Sequence, residues 1–144
     1  MRLVVDSPAC TGCNSCALSC SFVHQGHFSL ADARVTIERD SARARFVPRV
    51  CVQCEEAPCI AVCPTDALLR DEELGCIRIV EARCVKCGKC GPACPFGGVR
   101  LDGPGRVPVI CDLCGGDPEC VKHCRLPGAL SLGAEGKART GAQA

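Results

Sequence analysis

The segment Cys10–Cys20, "CTGCNSCALSC", places three cysteines two residues apart and a fourth after three more. That is the spacing of a bacterial iron–sulfur run, in which the fourth cysteine serves a different cluster from the first three and a proline usually follows it. Here Ser21 follows Cys20. The partners of Cys20 must then lie elsewhere in the chain.

Working outward, sixteen of the 17 cysteines fall into four such groups: Cys10, Cys13, Cys16, Cys20; Cys51, Cys54, Cys59, Cys63; Cys84, Cys87, Cys90, Cys94; and Cys111, Cys114, Cys120, Cys124. In every group the first gap is two residues and the last is three, while the middle gap is two, four, two and five in turn. This is an internal repeat of binding loops. Three closely spaced thiolates can wrap one cubane cluster, and a fourth beyond a helical turn points away toward a neighbouring one. Proline after the fourth cysteine redirects the chain and presents no N–H. Cys63–Pro64 and Cys94–Pro95 have it, in the two central groups only.

The central groups are therefore expected to exchange ligands. Cys51, Cys54 and Cys59 take Cys94, and Cys84, Cys87 and Cys90 take Cys63. The outer groups pair likewise: Cys10, Cys13 and Cys16 with Cys124, and Cys111, Cys114 and Cys120 with Cys20. The sum is four [4Fe-4S] clusters on sixteen iron-binding cysteines, and no catalytic residue of the chain's own. The competing reading is a zinc-bound structural or interaction module, since paired CxxC also suits tetrahedral zinc. Zinc gives no role to the third cysteine of each loop or to the constant last gap.

Composition agrees with metal-filled interiors. The chain of 144 residues has no Trp or Tyr, one Met and four Phe, so the usual core-filling side chains are scarce. Small domains with thin cores rely on disulfides or metals. The opening "MRLVVDSPAC" carries neither an apolar signal core nor a twin arginine, and no run reaches the length of a membrane span. A cytoplasmic location is expected, where thiols stay reduced and dense cysteines hold metal. The formal net charge of +1 becomes distinctly negative once anionic clusters are added, which argues against nucleic acid as a partner.

Between the loops, "RLVVD", "RVTIER" and "CIRIV" read as short strands, and "GVRLD" and "VPVIC" flank the turn "GPGR". Segments such as "APCIAVC" and "GKCGPAC" read as one or two helical turns. The expected fold is α+β: two pseudo-symmetric ferredoxin-like modules of short strands and short helices around cysteine loops. One domain covers residues 1–132, with a central module at about 47–102 and an outer module from about 3–40 plus 103–132. Residues 133–144 read as a flexible or partner-docked tail.

On these sixteen cysteines the chain, from residue 3 to about 132, resembles the four-cluster electron-transfer subunits of the dimethyl sulfoxide reductase iron–sulfur subunit family. The resemblance implies two stacked ferredoxin-like folds with four clusters in a line. "CTGCNSCALSCSFVHQGHFSLADARVTIER" and "CDLCGGDPECVKHC" resemble the compact subunits found with tungsten aldehyde oxidoreductases. Departures are His24-Gln25-Gly26, where His-Glu-Gly is more usual, and Arg125 in place of a proline after Cys124.

The expected function is electron transfer between two partners. One is a catalytic tungsten- or molybdenum-pterin aldehyde oxidoreductase subunit; the other is a flavin/NAD subunit or a ferredoxin. The same wire would also serve a hydrogenase, carbon monoxide dehydrogenase or formate dehydrogenase, and copies could stack into a longer one. Cys76, the seventeenth cysteine, reads as a small buried hydrophobe. His24, His27 and His123 read as surface or hydrogen-bonding residues rather than ligands. Lys86 and Lys89 would raise the potential of a nearby cluster, and Glu55 and Glu56 would lower it.

Overall fold

The computed structural model describes residues 1–133. The tail expected at 133–144 lies outside them, apart from Gly133, which ends the last strand.

Eight short strands form four separate antiparallel ribbons of two strands each. β1 (Arg2–Val5) pairs with β8 (Leu130–Gly133), Leu3 lying opposite Leu132. β2 (Thr36–Asp40) pairs with β3 (Arg45–Arg49), β4 (Leu68–Arg70) with β5 (Ile77–Ile79), and β6 (Val99–Arg100) with β7 (Val109–Ile110). The strands expected from "RLVVD", "RVTIER", "CIRIV", "GVRLD" and "VPVIC" are all present. β3, β4 and β8 were not anticipated. β3 contains Pro48, which lies opposite Ile37; a two-stranded ribbon has only edges, where proline is tolerated. β2–β3 and β6–β7 each straddle a boundary expected between central and outer residues.

Four helices carry the cysteines inward. α2 (Pro58–Ala61), α3 (Cys90–Ala93) and α4 (Glu119–Lys122) are single turns. α2 opens on Pro58, whose fixed φ suits a first helical position. α1 corrects the expectation of one or two turns: it runs over eleven residues, Ser15–Gln25. The cause is local. Pro64 and Pro95 prevent the chain from continuing as helix beyond Cys63 and Cys94, but Ser21 allows it after Cys20. α1 ends only at Gly26, whose left-handed backbone (φ 75°) lets its N–H reach the Phe22 carbonyl at 2.8 Å. Ser21 is fully buried; it donates to the Leu18 carbonyl (2.9 Å) and accepts from the Ser29 N–H (3.0 Å).

α1 packs on α4, and α2 packs on α3. The core between them is thin in large side chains. Leu3, Val35, Val50, Leu68, Ile77 and Leu113 share it with buried Cys16, Cys20, Cys51, Cys59, Cys90, Cys111 and Cys120. Cys76 is also buried there, as expected of a small apolar residue. Among the described residues no helix is long and apolar enough to cross a membrane.

Candidate metal centres

Each cysteine group wraps its loop with the same backbone device. The second residue after the first cysteine is left-handed in all four: Gly12 (φ 71°), Gln53 (57°), Lys86 (59°) and Leu113 (57°). Glycine occupies only one of these places, so the repeat is not legible as a glycine pattern. The left-handed residue reverses the chain and turns backbone N–H groups toward the thiols; Leu113 N, for example, donates to Cys111 Sγ at 3.4 Å.

Three of the fourth cysteines receive amides as well, while the Cys124 thiol donates to the Leu126 carbonyl at 3.3 Å. Cys63 Sγ accepts from Ala67 N (3.2 Å) and Cys94 Sγ from Gly98 N (3.3 Å), each four residues on. Both turns start with proline and pass through a left-handed residue, Asp66 (φ 50°) or Gly97 (φ 62°). Cys20 Sγ receives Arg34 N at 3.3 Å, fourteen residues on, because α1 intervenes. Gly98 also presses on the second loop. A Cβ there would lie 2.5 Å from the backbone of Cys51.

The fold brings the cysteines together across groups. One cleft is lined by Cys10, Cys13, Cys16 and Cys124. Another is lined by Cys63, Cys84, Cys87 and Cys90. Burial first, then Cys10, Cys124 and Cys13, push the Cys16 thiol up to about 11. Burial, then Asp112, Cys20 and Cys114, push Cys111 up to about 12. Cys120 is raised by burial and by Cys111, Cys20 and Cys114, with Cys16 also within reach. Burial, then Cys54 and Cys94, push Cys59 up to about 11. Cys51 is raised by burial and, among its neighbours, by Cys111, Cys59 and Cys94.

Thiols that converge yet resist ionisation are suited to a cationic metal centre, which supplies the missing positive charge. With amides already directed at the sulfurs, the donor chemistry fits iron–sulfur clusters. Of the sixteen, only Cys13 and Cys87 are exposed.

Around Cys20 lies a polar network. His24 Nδ1 lies 2.8 Å from the Cys20 carbonyl and Nε2 lies 3.1 Å from Asp112 Oδ1. Arg34 Nη1 pairs with Asp112 Oδ2 at 2.6 Å, and Cys114 N donates to Oδ1 at 3.0 Å. Burial alone would raise the Asp112 carboxyl, but Arg34, the Cys114 amide and His24 hold it below the usual carboxylate range. His24 and Asp112 also share a ligand-sized cluster with Cys114, all side-chain donor atoms lying within 4.8 Å. Both ring nitrogens of His24 are engaged, which matches a hydrogen-bonding rather than a ligating histidine. His27 meets Asp32 at 2.8 Å, and His123 lies 3.0 Å from the Glu119 carbonyl. Lys86, Lys89, Glu55 and Glu56 are exposed on their loops. Hydrogen bonds from Ser15, then the charge of Arg125, lower the Cys13 thiol.

Arg34, Asp112 and Gln53 were missed by sequence reasoning. The first two are remote partners with no spacing signal. Gln53 stands among loop residues that looked interchangeable.

The chain belongs to the 4Fe-4S dicluster domain family: one family of that description matches residues 42–135 and another matches residues 9–67. It is 39% identical to the aliphatic sulfonate oxidoreductase polyferredoxin-like subunit of Pyrococcus furiosus, over 90% of this chain and 75% of that one. It is 39% identical to formate hydrogenlyase subunit 2 of Escherichia coli over 70% of its length, and spans about half of that protein (48%). Among solved structures it is similar to a chain of the active site complex BamBC of benzoyl coenzyme A reductase. That match has a TM-score of 0.52 and 27% identity and covers 91% of this chain and 75% of that one.

Proposed function

We propose that the chain is an electron-transfer subunit of an oxidoreductase complex, holding four [4Fe-4S] clusters in series. The observation that carries this is the meeting of each first-to-third cysteine set with the fourth cysteine of another group. The sets are Cys10, Cys13, Cys16 and Cys124; Cys20, Cys111, Cys114 and Cys120; Cys51, Cys54, Cys59 and Cys94; and Cys63, Cys84, Cys87 and Cys90. When bound, such a cluster takes up and releases one electron without rearranging bonds elsewhere.

The order of the series follows from neighbouring residues. α1, which carries Cys16, packs on α4, which carries Cys120; the Gln53 side chain joins the Cys51 loop to the Cys111 carbonyl; and α2 packs on α3. Exposed Cys13 and Cys87 then mark the two outlets. The repeated left-handed positions and the matching Pro64 and Pro95 turns support two pseudo-symmetric ferredoxin-like modules, as in the dimethyl sulfoxide reductase iron–sulfur subunit family.

One partner is a catalytic tungsten- or molybdenum-pterin aldehyde oxidoreductase subunit, and the other is a flavin/NAD subunit or a ferredoxin, in the reducing cytoplasm. The likeness to formate hydrogenlyase subunit 2 favours a second reading, the same wire serving a formate- or hydrogen-converting enzyme. Two outlets would also let copies stack end to end; a complex of one fixed mass by light scattering argues against it. In every case the reaction centre lies on another subunit.

Anaerobic purification tests the wire. A brown protein with about sixteen irons and matching sulfide is expected; a colourless protein with stoichiometric zinc would make it a structural module instead. Co-purifying subunits decide between the two partner readings.

A further inference from the structure

The second residue after the first cysteine is left-handed in all four loops, but the four side chains meet different surroundings. Lys86 is exposed and Gly12 has no side chain, whereas Gln53 (2% exposed) and Leu113 (0%) are buried. Leu113 fills its space with hydrocarbon. Gln53 occupies the equivalent place with an amide that has two partners, both remote in sequence. The Ile77 N–H donates to its Oε1 at 2.6 Å, and its Nε2 donates to the Cys111 carbonyl at 2.6 Å.

One residue, two positions after Cys51, thus reaches the carbonyl of Cys111 through its side chain. Those two cysteines are first members of different sets, and the Gln53 side chain spans the gap between their loops. Space-filling alone does not call for an amide, since Leu113 manages without one. Burying an amide is costly unless both of its ends are satisfied, and here both are. The Nε2 bond holds the fourth loop against the second, and the Oε1 bond anchors the same side chain to Ile77 of β5, fixing where that bridge can lie.

Building on the four-cluster reading above, we propose that Gln53 is a positioning residue that sets the separation and electronic coupling of the two inner cysteine sets. These are Cys51, Cys54, Cys59 and Cys94 on one side, and Cys20, Cys111, Cys114 and Cys120 on the other.

The test uses the purified full chain with Gln53→Asn and Gln53→Gly. Both residues accept the left-handed backbone; Asn is one methylene too short to span both partners, and Gly removes the amide. Iron and sulfide content, the electron paramagnetic resonance spectrum of the dithionite-reduced protein, and a redox titration are recorded for each. At full iron content, the expected result is loss of magnetic interaction between one pair of clusters and shifted midpoint potentials for two of the four. Unchanged interaction and potentials in the variants that keep full iron would overturn the inference. So would loss of one set's iron in both variants, because the residue would then merely hold its loop. A wild-type protein lacking about sixteen irons would overturn the wire itself rather than the role of Gln53.

Discussion

Ser21 stands where a proline would end the helix after the fourth cysteine, and its hydroxyl instead ties Leu18 to Ser29. Ser21→Ala leaves the half-buried Ser29 N–H without that acceptor, beside a fully buried side chain. A loss of about 1–2 kcal/mol is expected, read as a lower thermal midpoint of the iron-loaded protein. Cys20→Ser is expected to remove the cluster signal associated with Cys111, Cys114 and Cys120 first, with iron falling by about a quarter. Loss of the Cys10 signal instead would refute the crossed assignment. At this scale the cysteines were legible because their spacing repeats. Arg34, Asp112 and Gln53 were not, because their partners lie 78, 88 or 58 residues away and leave no periodic trace.

The loops and their turns are the elements on which packing is tightest. A Cβ on Gly98 would meet the Cys51 backbone at 2.5 Å, and backbone cannot swing aside. A Cβ on Gly91 would meet Leu101 Cδ1 at 2.6 Å, but that is the end of a flexible side chain, 41% exposed. Gly98→Ala should therefore lose iron from the set of Cys51, Cys54, Cys59 and Cys94 during purification, while Gly91→Ala should keep close to wild-type iron and thermal stability. Strands with alternating apolar residues could be found from sequence, but β3 was masked by Pro48 and β4, Leu68-Leu69-Arg70, does not alternate; β8 was passed over although it is as long as β1. The length of α1 followed from what is missing after Cys20, a weaker signal than a residue that is present.

Over the whole molecule, the pairing of β1 with β8 joins the two ends of the described chain, while the proposed ligand sets of the central cysteines close among themselves. Removing residues 1–5 takes away Leu3, a fully buried core side chain, and the partner of β8. The variant is expected to retain about half of its iron, held by Cys51–Cys94, with the remainder lost on gel filtration; even depletion of all four sets would instead mean that the molecule behaves as one cooperative unit. The enclosure of one pair of loops by the other also imposes an order in time. Under the proposed crossed assignment, the ligands between Cys51 and Cys94 emerge during synthesis as a closed group, so that two clusters can be inserted while the ribosome is still working. Under the same assignment the loop of Cys10, Cys13 and Cys16 waits for Cys124, and Cys20 waits for Cys111. Until then its thiols remain open to oxidation or to a wrong metal, so the opening segment is the stretch of this protein most in need of a carrier's protection while it is being made.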